Sequence, residues 1–189
     1  MKVGRYRKAR VIASSGVLLA GVWGGAMALF TDTESVASGD FTTGSVAIGV
    51  TPVSTSLALA DMAPGDEVTA PVTVSNDGTL DLRYAVTSVS GGDADLAAAL
   101  AVTVKSGVAD CTNSGFAGSG SPVAGGTLSA LSFGDVTPGA QADDRTLAPG
   151  GSEVLCFQVA LATSAADTLQ GKTASATFTF SAEQTVNNP

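Results

Sequence analysis

The chain contains no histidine, and cysteine, aromatic and basic residues are scarce. Its 189 residues include two cysteines and nine lysines or arginines, and 5% are aromatic. Without histidine the chain has neither a Ser-His-Asp triad nor a zinc site of the His-Glu-x-x-His type. It also has no Walker motif, and no Gly-x-Gly-x-x-Gly follows a plausible strand. These absences exclude the commonest hydrolases and nucleotide-dependent enzymes.

Basic and acidic residues are distributed unevenly. Five of the nine basic residues lie within positions 1–10, whereas all 17 acidic residues lie at Asp32 or later. Removing residues 1–28 leaves four basic and 17 acidic side chains, so the formal charge changes from −8 to −13. Because proteins bind nucleic acids mainly through cations on phosphates, a body this acidic argues against a nucleic-acid partner.

The N-terminus has the three parts of a secretory signal peptide. A basic stretch at 2–10 precedes an apolar stretch from Val11 to Met27. Ala26 and Ala28 then supply the small residues that a signal peptidase recognises. We therefore predict a signal peptide at 1–28, with signal peptidase as a partner during export.

The alternative is an uncleaved membrane anchor, because residues 11–30 are mostly apolar. Two serines and four glycines in this stretch weaken that alternative, and the Ala-x-Ala site favours cleavage. Before cleavage, the signal peptide is predicted to be the only part of the chain that contacts a membrane. Cleavage predicts a secreted or cell-surface chain of residues 29–189.

Alternating apolar and polar residues in the remaining chain predict β-strands. The clearest example runs from Ala174 to Glu183, with Phe178 and Phe180 on the face that we expect to be buried. The period recurs at Val46–Val50, Val68–Val74, Leu82–Val86 and Leu155–Leu161, with shorter candidates at Leu57–Leu59 and Val102–Val104. Pro71 lies inside one pattern, which predicts an edge strand because proline lacks the donor N–H.

Glycine and proline turns separate these strands, and one segment favours a helix. Residues Asp93 to Leu100 are rich in alanine, and Asp93 is suited to cap the first turn. We see no internal repeat, so residues 29–189 are predicted to form one domain. The predicted fold is an all-β antiparallel sandwich or jelly roll with one short helix and a long loop.

That loop comprises residues 112–151, which are rich in glycine, serine, proline and alanine. Cys111 and Cys156 bracket it, and in an exported protein such a pair most simply forms one disulfide. Closing a loop of this size contributes about 4 kcal/mol in the chain-entropy model. Because Cys156 alternates with Leu155 and Phe157, its side chain should point to the opposite face of the strand. A disulfide at this position would hold the loop against the sandwich. The alternative is two free thiols in redox chemistry or metal binding, although no Cys-x-x-Cys motif is present.

Two pairs of carboxylates deserve a test as ligands of a hard cation such as Ca²⁺. They are Asp143 with Asp144, and Asp93 with Asp95. Neither pair has the spacing of a calcium-binding loop, so solvated surface charge is the simpler interpretation. Serines and threonines have no base beside them in sequence. The residues thus predict no catalytic group, no metal and no cofactor.

Several segments resemble one family of exported proteins. Ala28–Glu34 with Phe41–Gly44 is similar to the cleavage region of SipW-type signal peptides in Gram-positive bacteria. Pro64–Asp66, Val72–Leu80 and Leu82–Tyr84 resemble conserved body segments of the TasA/camelysin group, which includes fibre proteins of biofilm matrices. The ending Phe178–Thr185 resembles the actinobacterial branch of these SipW-dependent proteins, as does the stretch between the cysteines.

The resemblance implies a secreted jelly-roll subunit that is structural and not catalytic. By analogy with TasA-like fibres, residues 29–44 would be donated as a strand to the next subunit, with Phe30 and Phe41 as anchors. The partner is then a second copy in a head-to-tail polymer, or another component of the matrix or cell surface. In the ordinary alternative, Phe41 packs in its own core and Phe30 is merely a junction residue.

Three other functions remain open. One is a secreted adhesin or ligand-binding sandwich, although residues 29–189 contain no tryptophan and Tyr84 as their only tyrosine. Another is a secreted monomer with an unknown partner. Camelysin's association with metalloprotease activity suggests a third, which the missing histidine argues against.

Overall fold

The computed structural model describes residues 42–52 and 62–188. Within these ranges the chain forms nine strands and two short α-helices. The strands are β1 Ile48–Thr51, β2 Glu67–Asn76, β3 Leu82–Gly92, β4 Leu100–Ser106, β5 Ser121–Thr127, β6 Ser132–Phe133, β7 Arg145–Leu147, β8 Ser152–Leu161 and β9 Ala174–Gln184. The helices are α1 Ala94–Ala99 and α2 Asn113–Gly118. The predicted signal peptide and the candidate strand Leu57–Leu59 lie outside the described residues.

The strands form two antiparallel sheets. The first sheet has the order β1-β2-β8-β4-β5. In the second, β3 pairs with β9 along one edge and with β6 and β7 along the other. The hydrophobic core lies between the sheets, because Val72, Leu155 and Phe157 of the first pack with Tyr84 and Val86 of the second. The prediction of an all-β sandwich is confirmed.

Alternation explains which side chains form this core. In β2, Val72 and Val74 are buried, and in β8 Leu155, Phe157 and Val159 are buried. Full burial of an aliphatic or aromatic side chain contributes about 1.5–3 kcal/mol. The strand β9 follows the predicted alternation, but Phe178 and Phe180 are only partly buried at the margin of the core.

The helix α1 forms where the sequence predicts it. Asp93 is its N-cap, and the Asp93 carboxylate accepts a hydrogen bond of 2.9 Å from the Leu96 N–H. The backbone N–H groups of a first helical turn lack partners within the helix, so this bond satisfies one of them. Only Ala97 of the helix is buried, which fits a short connection between β3 and β4.

Residues 112–151 are more ordered than the predicted loop, and they supply a second helix. They contain α2 and the strands β5, β6 and β7. The β5 sequence Ser-Pro-Val-Ala-Gly-Gly-Thr has low β-propensity and no alternation. It forms a strand because β4 offers an edge with which Thr127 to Ser121 can pair. Tertiary pairing therefore outweighs the local composition.

Pro71 lies in the half of β2 that has a single described neighbour. The strand β1 pairs only with Thr73–Asn76, whereas β8 pairs with nearly the whole of β2. On the β1 side, no described residue forms a ladder with β2 at Pro71. The expectation of an edge position thus holds for this half, while the other half of β2 is internal. None of the helices in the described ranges has the length and apolarity needed to cross a membrane.

Candidate functional site

The two cysteines join in a disulfide, as predicted. Cys156 is buried on the outer face of the first sheet, opposite to Leu155 and Phe157. The helix α2 lies on this face and buries Phe116. The ammonium group of Lys105 stands 4.5 Å from the centre of the Phe116 ring and donates a hydrogen bond of 2.6 Å to the Phe116 carbonyl. The disulfide thus holds the bracketed segment against the sandwich.

Tyr84, Glu153 and Arg145 form a polar link between the two sheets. The Tyr84 hydroxyl on β3 donates to a Glu153 oxygen on β8 at 2.6 Å, and Arg145 on β7 donates to both Glu153 oxygens. Burial raises the pKa of Tyr84, and the hydrogen bond to the Glu153 carboxylate raises it further. Tyr84 is only 1% exposed, so it remains a protonated donor that substrates do not reach.

A second polar cluster covers the outer face of the second sheet. The Arg83 guanidinium on β3 lies 2.6 Å from the Glu183 carboxylate on β9. The backbone N–H of Gly139 and the side-chain amide of Asn188 also donate to Glu183, at 3.0 and 2.8 Å. Partial burial opposes ionisation of Glu183, but these three donors outweigh it and lower its pKa. The cluster ties β9 to the loop before β7 and to the C-terminal residues.

The four basic residues beyond position 10 all have partners within the fold. Arg83 and Arg145 pair with Glu183 and Glu153, and Lys105 contacts Phe116. The Lys172 ammonium lies 3.0 Å from Asp93 and 3.3 Å from Asp95, and these contacts raise its pKa. The described surface therefore presents unpaired charge mainly as carboxylates, which disfavours polyanionic partners.

Three of the four carboxylates considered as cation ligands already have partners within the fold. Asp93 caps α1 and, with Asp95, binds Lys172. Asp144 accepts hydrogen bonds from the backbone N–H groups of Asp135 and Gln141, both at 2.9 Å. Asp143 is exposed and adopts a positive φ of 66° in the same loop. These contacts give Asp93, Asp95 and Asp144 structural roles within the fold.

The long edge of β9 is the most distinctive surface feature of the sandwich. This strand has 11 residues and contains no proline, lysine or arginine. Within residues 42–52 and 62–188, no strand pairs with the edge that faces away from β3. An edge of this kind presents unpaired N–H and C=O groups that a further strand can satisfy. Half-buried Phe178 and Phe180 add an apolar surface beside those groups.

A cavity of about 370 Å³ lies at the end of the sandwich where β9 begins. Its walls include Met62, Leu96, Leu100, Leu161, Leu169 and Ala174. Met62 lies in the segment before β2, and the other residues come from α1, from the ends of β4, β8 and β9, and from the 3-10 turn Asp167–Leu169. Gln170, Lys172 and Thr173 also line the cavity, so it has both aliphatic and polar walls.

The start of the described chain is anchored at the opposite end of the sandwich. The Ser45 N–H donates to the Thr79 hydroxyl at 2.9 Å, and the Ser45 carbonyl accepts from the N–H groups of Thr79 and Leu80. Gly44 packs so closely on Leu80 that a Cβ at Gly44 would lie 2.5 Å from the Leu80 side chain. Residues 42–44, the last part of the predicted donor segment, thus lead into a fixed position.

Four residues named from the sequence cannot be placed in this geometry. Ala26 and Ala28 of the predicted cleavage site, and the predicted anchors Phe30 and Phe41, lie outside the described residues. Their roles stay predictions. The inter-sheet link through Glu153 and Arg145 was not anticipated, because nothing in the strand pattern signals that two charged residues meet behind Tyr84.

A family model described as camelysin metallo-endopeptidase matches residues 7–188. The chain belongs to the camelysin family. The resemblance that was noted from the sequence is confirmed at this level, whereas dependence on a SipW-type peptidase stays a prediction. No curated protein matches the chain.

The family description includes a metallopeptidase, so the residues of this camelysin-family chain must be tested against a metal site. Zinc peptidases hold their metal mainly with histidine and carboxylate ligands. This chain has no histidine, and its only two cysteines are joined in a disulfide. The described residues contain no cluster of three or more cysteine, aspartate or glutamate residues able to hold a metal ion. These donors do not fit a zinc peptidase site.

Proposed function

We propose that this protein is an exported structural subunit of the cell surface or extracellular matrix, which assembles head to tail by donating residues 29–44 as a strand. Residues 1–28 act as the signal peptide in this proposal. Membership of the camelysin family and a disulfide typical of oxidising compartments support export. The observation that carries the assembly step is the edge of β9, with which no strand of residues 42–52 or 62–188 pairs.

The edge supports assembly because, among the described strands, no other edge offers so long a run without proline or glycine. The described strands β6 and β7 have only two and three residues, and β5 contains Pro122, Gly125 and Gly126. An incoming strand therefore gains the longest run of main-chain hydrogen bonds at β9. Because donor and acceptor belong to different surfaces of one chain, the contact can repeat from subunit to subunit, and it extends a filament when the rotation between subunits does not close a ring.

The anchoring of Ser45 supports the identity of the donor. The described chain begins at Thr42 and is held at Ser45 beside the turn formed by Asn76–Leu80, so a strand donated from residues before Thr42 would be fixed to its own subunit there. With residues 42–44 held near that turn, the portion that reaches the neighbour is 29–41. A non-catalytic role is consistent with the contacts described above, in which the carboxylates accept hydrogen bonds from arginine, lysine and backbone N–H groups.

The test compares residues 29–189 with two matched variants. One lacks residues 29–41, and in the other these residues are replaced by a glycine-serine segment of equal length. We expect filaments from the first protein by electron microscopy, and monomers from both variants by size-exclusion chromatography. The charge of −13 makes subunits repel, so filament yield should rise with salt or mild acid. Monomers from all three proteins at high salt and acidic pH would refute strand donation.

A sugar-binding adhesin receives less support. Its ring platforms usually need exposed tyrosine or tryptophan, and Tyr84, the only tyrosine of residues 29–189, is buried. Binding of the glycine-serine variant to defined polysaccharides would nevertheless favour this function over assembly. Peptide cleavage that survives verified purity and is lost with a chelator would instead favour a metallopeptidase.

A further inference from the structure

We infer that the donated strand runs antiparallel to β9 of the next copy, with Leu29 and Phe41 facing inward and Phe41 entering the 370 Å³ cavity. The inference rests on the proposed function and specifies its acceptor. Three features support it. The two faces of the donor differ in charge, and the side-chain sizes along β9 complement one of these faces. The third feature is that Ser45, where the described chain is fixed, and the cavity lie at opposite ends of the sandwich.

The two faces of residues 29–41 differ in charge. Successive residues of a strand point to opposite faces, and the positions of Phe30 and Phe41 differ by eleven, an odd number. A regular strand therefore cannot direct both phenylalanines into one core. The face of Phe30 also carries Asp32, Glu34 and Asp40. The other face carries no charge and comprises Leu29, Thr31, Thr33, Ser35, Ala37, Gly39 and Phe41.

The uncharged face has a size pattern that complements β9. Its large residues, Leu29 and Phe41, stand at its two ends, and the residues between them are small. On the inner face of β9 the large residues, Phe178 and Phe180, are near the middle and the flanking positions are alanines. Packing large residues against small ones across two strands fills the space between them. The charged face of the donor would remain in solvent, which avoids burial of carboxylates.

The direction follows from where the chain leaves one subunit and where the cavity lies. Ser45 is fixed at the sandwich end that contains the turn Thr79–Leu80, and β9 finishes at the same end because Gln184 pairs with Leu82. The cavity lies at the other end, where Ala174 pairs with Gly92. An antiparallel donor places Phe41 beside Ala174, so the turn end of one subunit meets the cavity end of the next.

The walls of the cavity suit a phenylalanine side chain. Leu100 and Leu161 are buried at its base, and Leu96 and Leu169 are half-buried around them. Filling this space would bury aliphatic surface that a single subunit leaves partly accessible, at about 25 cal/mol for each Å². The cavity volume of about 370 Å³ accommodates an aromatic ring together with its methylene group.

The experiment uses the variant without residues 29–41 as acceptor and a labelled peptide of residues 29–43 as donor. We expect saturable binding by fluorescence anisotropy, a Phe41→Ser peptide at least about tenfold weaker, and a Phe30→Ser peptide within about twofold of the original. In the acceptor, Leu169→Trp narrows the cavity and should weaken the original peptide. Circular dichroism and the unfolding midpoint check that this acceptor remains folded.

The outcomes separate the inference from the proposed function. Filaments from residues 29–189 with equal or greater sensitivity to Phe30→Ser would overturn the inference and leave strand donation intact. An unchanged affinity for folded Leu169→Trp acceptor would overturn the placement of Phe41 in the cavity. If residues 29–189 form no filaments and the peptide does not bind, both proposals are wrong.

Discussion

The edge strands on the two sides of the sandwich differ in length and in their content of proline and glycine. On one side, β5 contains proline and glycine, its register with β4 shifts between Val104 and Lys105, and β6 and β7 are very short. We call this the blocked side. On the open side, β9 presents 11 residues without proline or a basic side chain. Natural sheets usually protect their edges with such devices, so an edge without them is consistent with the strand donation proposed above.

The blocked side is also the side built by the segment between the cysteines. We expect simultaneous Cys111→Ala and Cys156→Ala substitution to lower the free energy of unfolding by about 4 kcal/mol, because the unfolded chain loses a closed loop of 45 residues. Urea unfolding of residues 29–189 measures the loss. Reduction of the wild type should reproduce it. A stable double variant would show that β5 to β7 hold their places without the covalent link.

The open side should depend less on its aromatic residues than the core does. The rings of Phe157 and Phe178 lie 5.1 Å apart, but Phe157 is fully buried and Phe178 is only partly buried. We expect Phe178→Ala to cost about 2 kcal/mol in the protein without residues 29–41, and Phe157→Ala about 4 kcal/mol. Denaturant titration compares the two. Equal losses of unfolding free energy from Phe178→Ala and Phe157→Ala would mean that Phe178 is already fully buried in a single subunit.

The polar link through Tyr84 stabilises the blocked side by a smaller amount. Tyr84→Phe removes one hydrogen bond to Glu153, while Arg145 continues to satisfy that carboxylate. We expect a loss of about 1 kcal/mol, because the ring still fills its place in the core. Tyr84→Leu is the matched control, since it loses the hydroxyl and also the ring contacts with Phe133 and Phe180. If Tyr84→Phe lowered the free energy of unfolding as much as Tyr84→Leu, the ring contacts would contribute nothing beyond the hydrogen bond, and this expectation would be wrong.

The smallest expected effect concerns pH and Glu183, the polar tie between β9 and the blocked side. The folded-state pKa of Glu183 lies below its ordinary value of 4.5, because Gly139, Asn188 and Arg83 donate to the carboxylate. Its stabilisation is therefore complete above pH 4.5 and is lost as the pH falls through the lower folded-state pKa.

Glu183→Gln should flatten this acid-side dependence of unfolding, whereas Asp143→Asn at an exposed loop position should leave it unchanged. Equal pH profiles for wild type and Glu183→Gln would show that the tie contributes nothing measurable. The comparison requires the same salt concentration throughout, because exposed charges are screened.

Strand positions were predictable wherever one face is buried and the other solvated. Period-2 alternation located β2, β8 and β9, and an aspartate before an alanine-rich segment located α1 with its cap. The strands β5, β6 and β7 were not predictable, because their order comes from pairing with β4 and β3 and not from their own composition.

The candidate site was only partly predictable. A single pair of cysteines that brackets one segment predicted the disulfide, since secreted chains seldom leave such a pair reduced. That β9 would lie at an edge, and that a cavity would open beside Ala174, depended on the order of strands in the second sheet. Alternation along one strand carries no information about its neighbours.

The anchoring of Ser45 has a mechanical consequence for a filament assembled in this way. Tension would enter each subunit at Ser45, from which the covalent chain continues into β1 and hydrogen bonds lead to Thr79 and Leu80 before β3. It would leave through β9, so the β3–β9 ladder would carry part of the load. Because the ladder's hydrogen bonds lie perpendicular to the strands, a pull parallel to the strands would load many of these bonds at the same time. The bond between Cys111 and Cys156 lies outside this route, so resistance to stretching and resistance to denaturant would depend on different parts of the molecule.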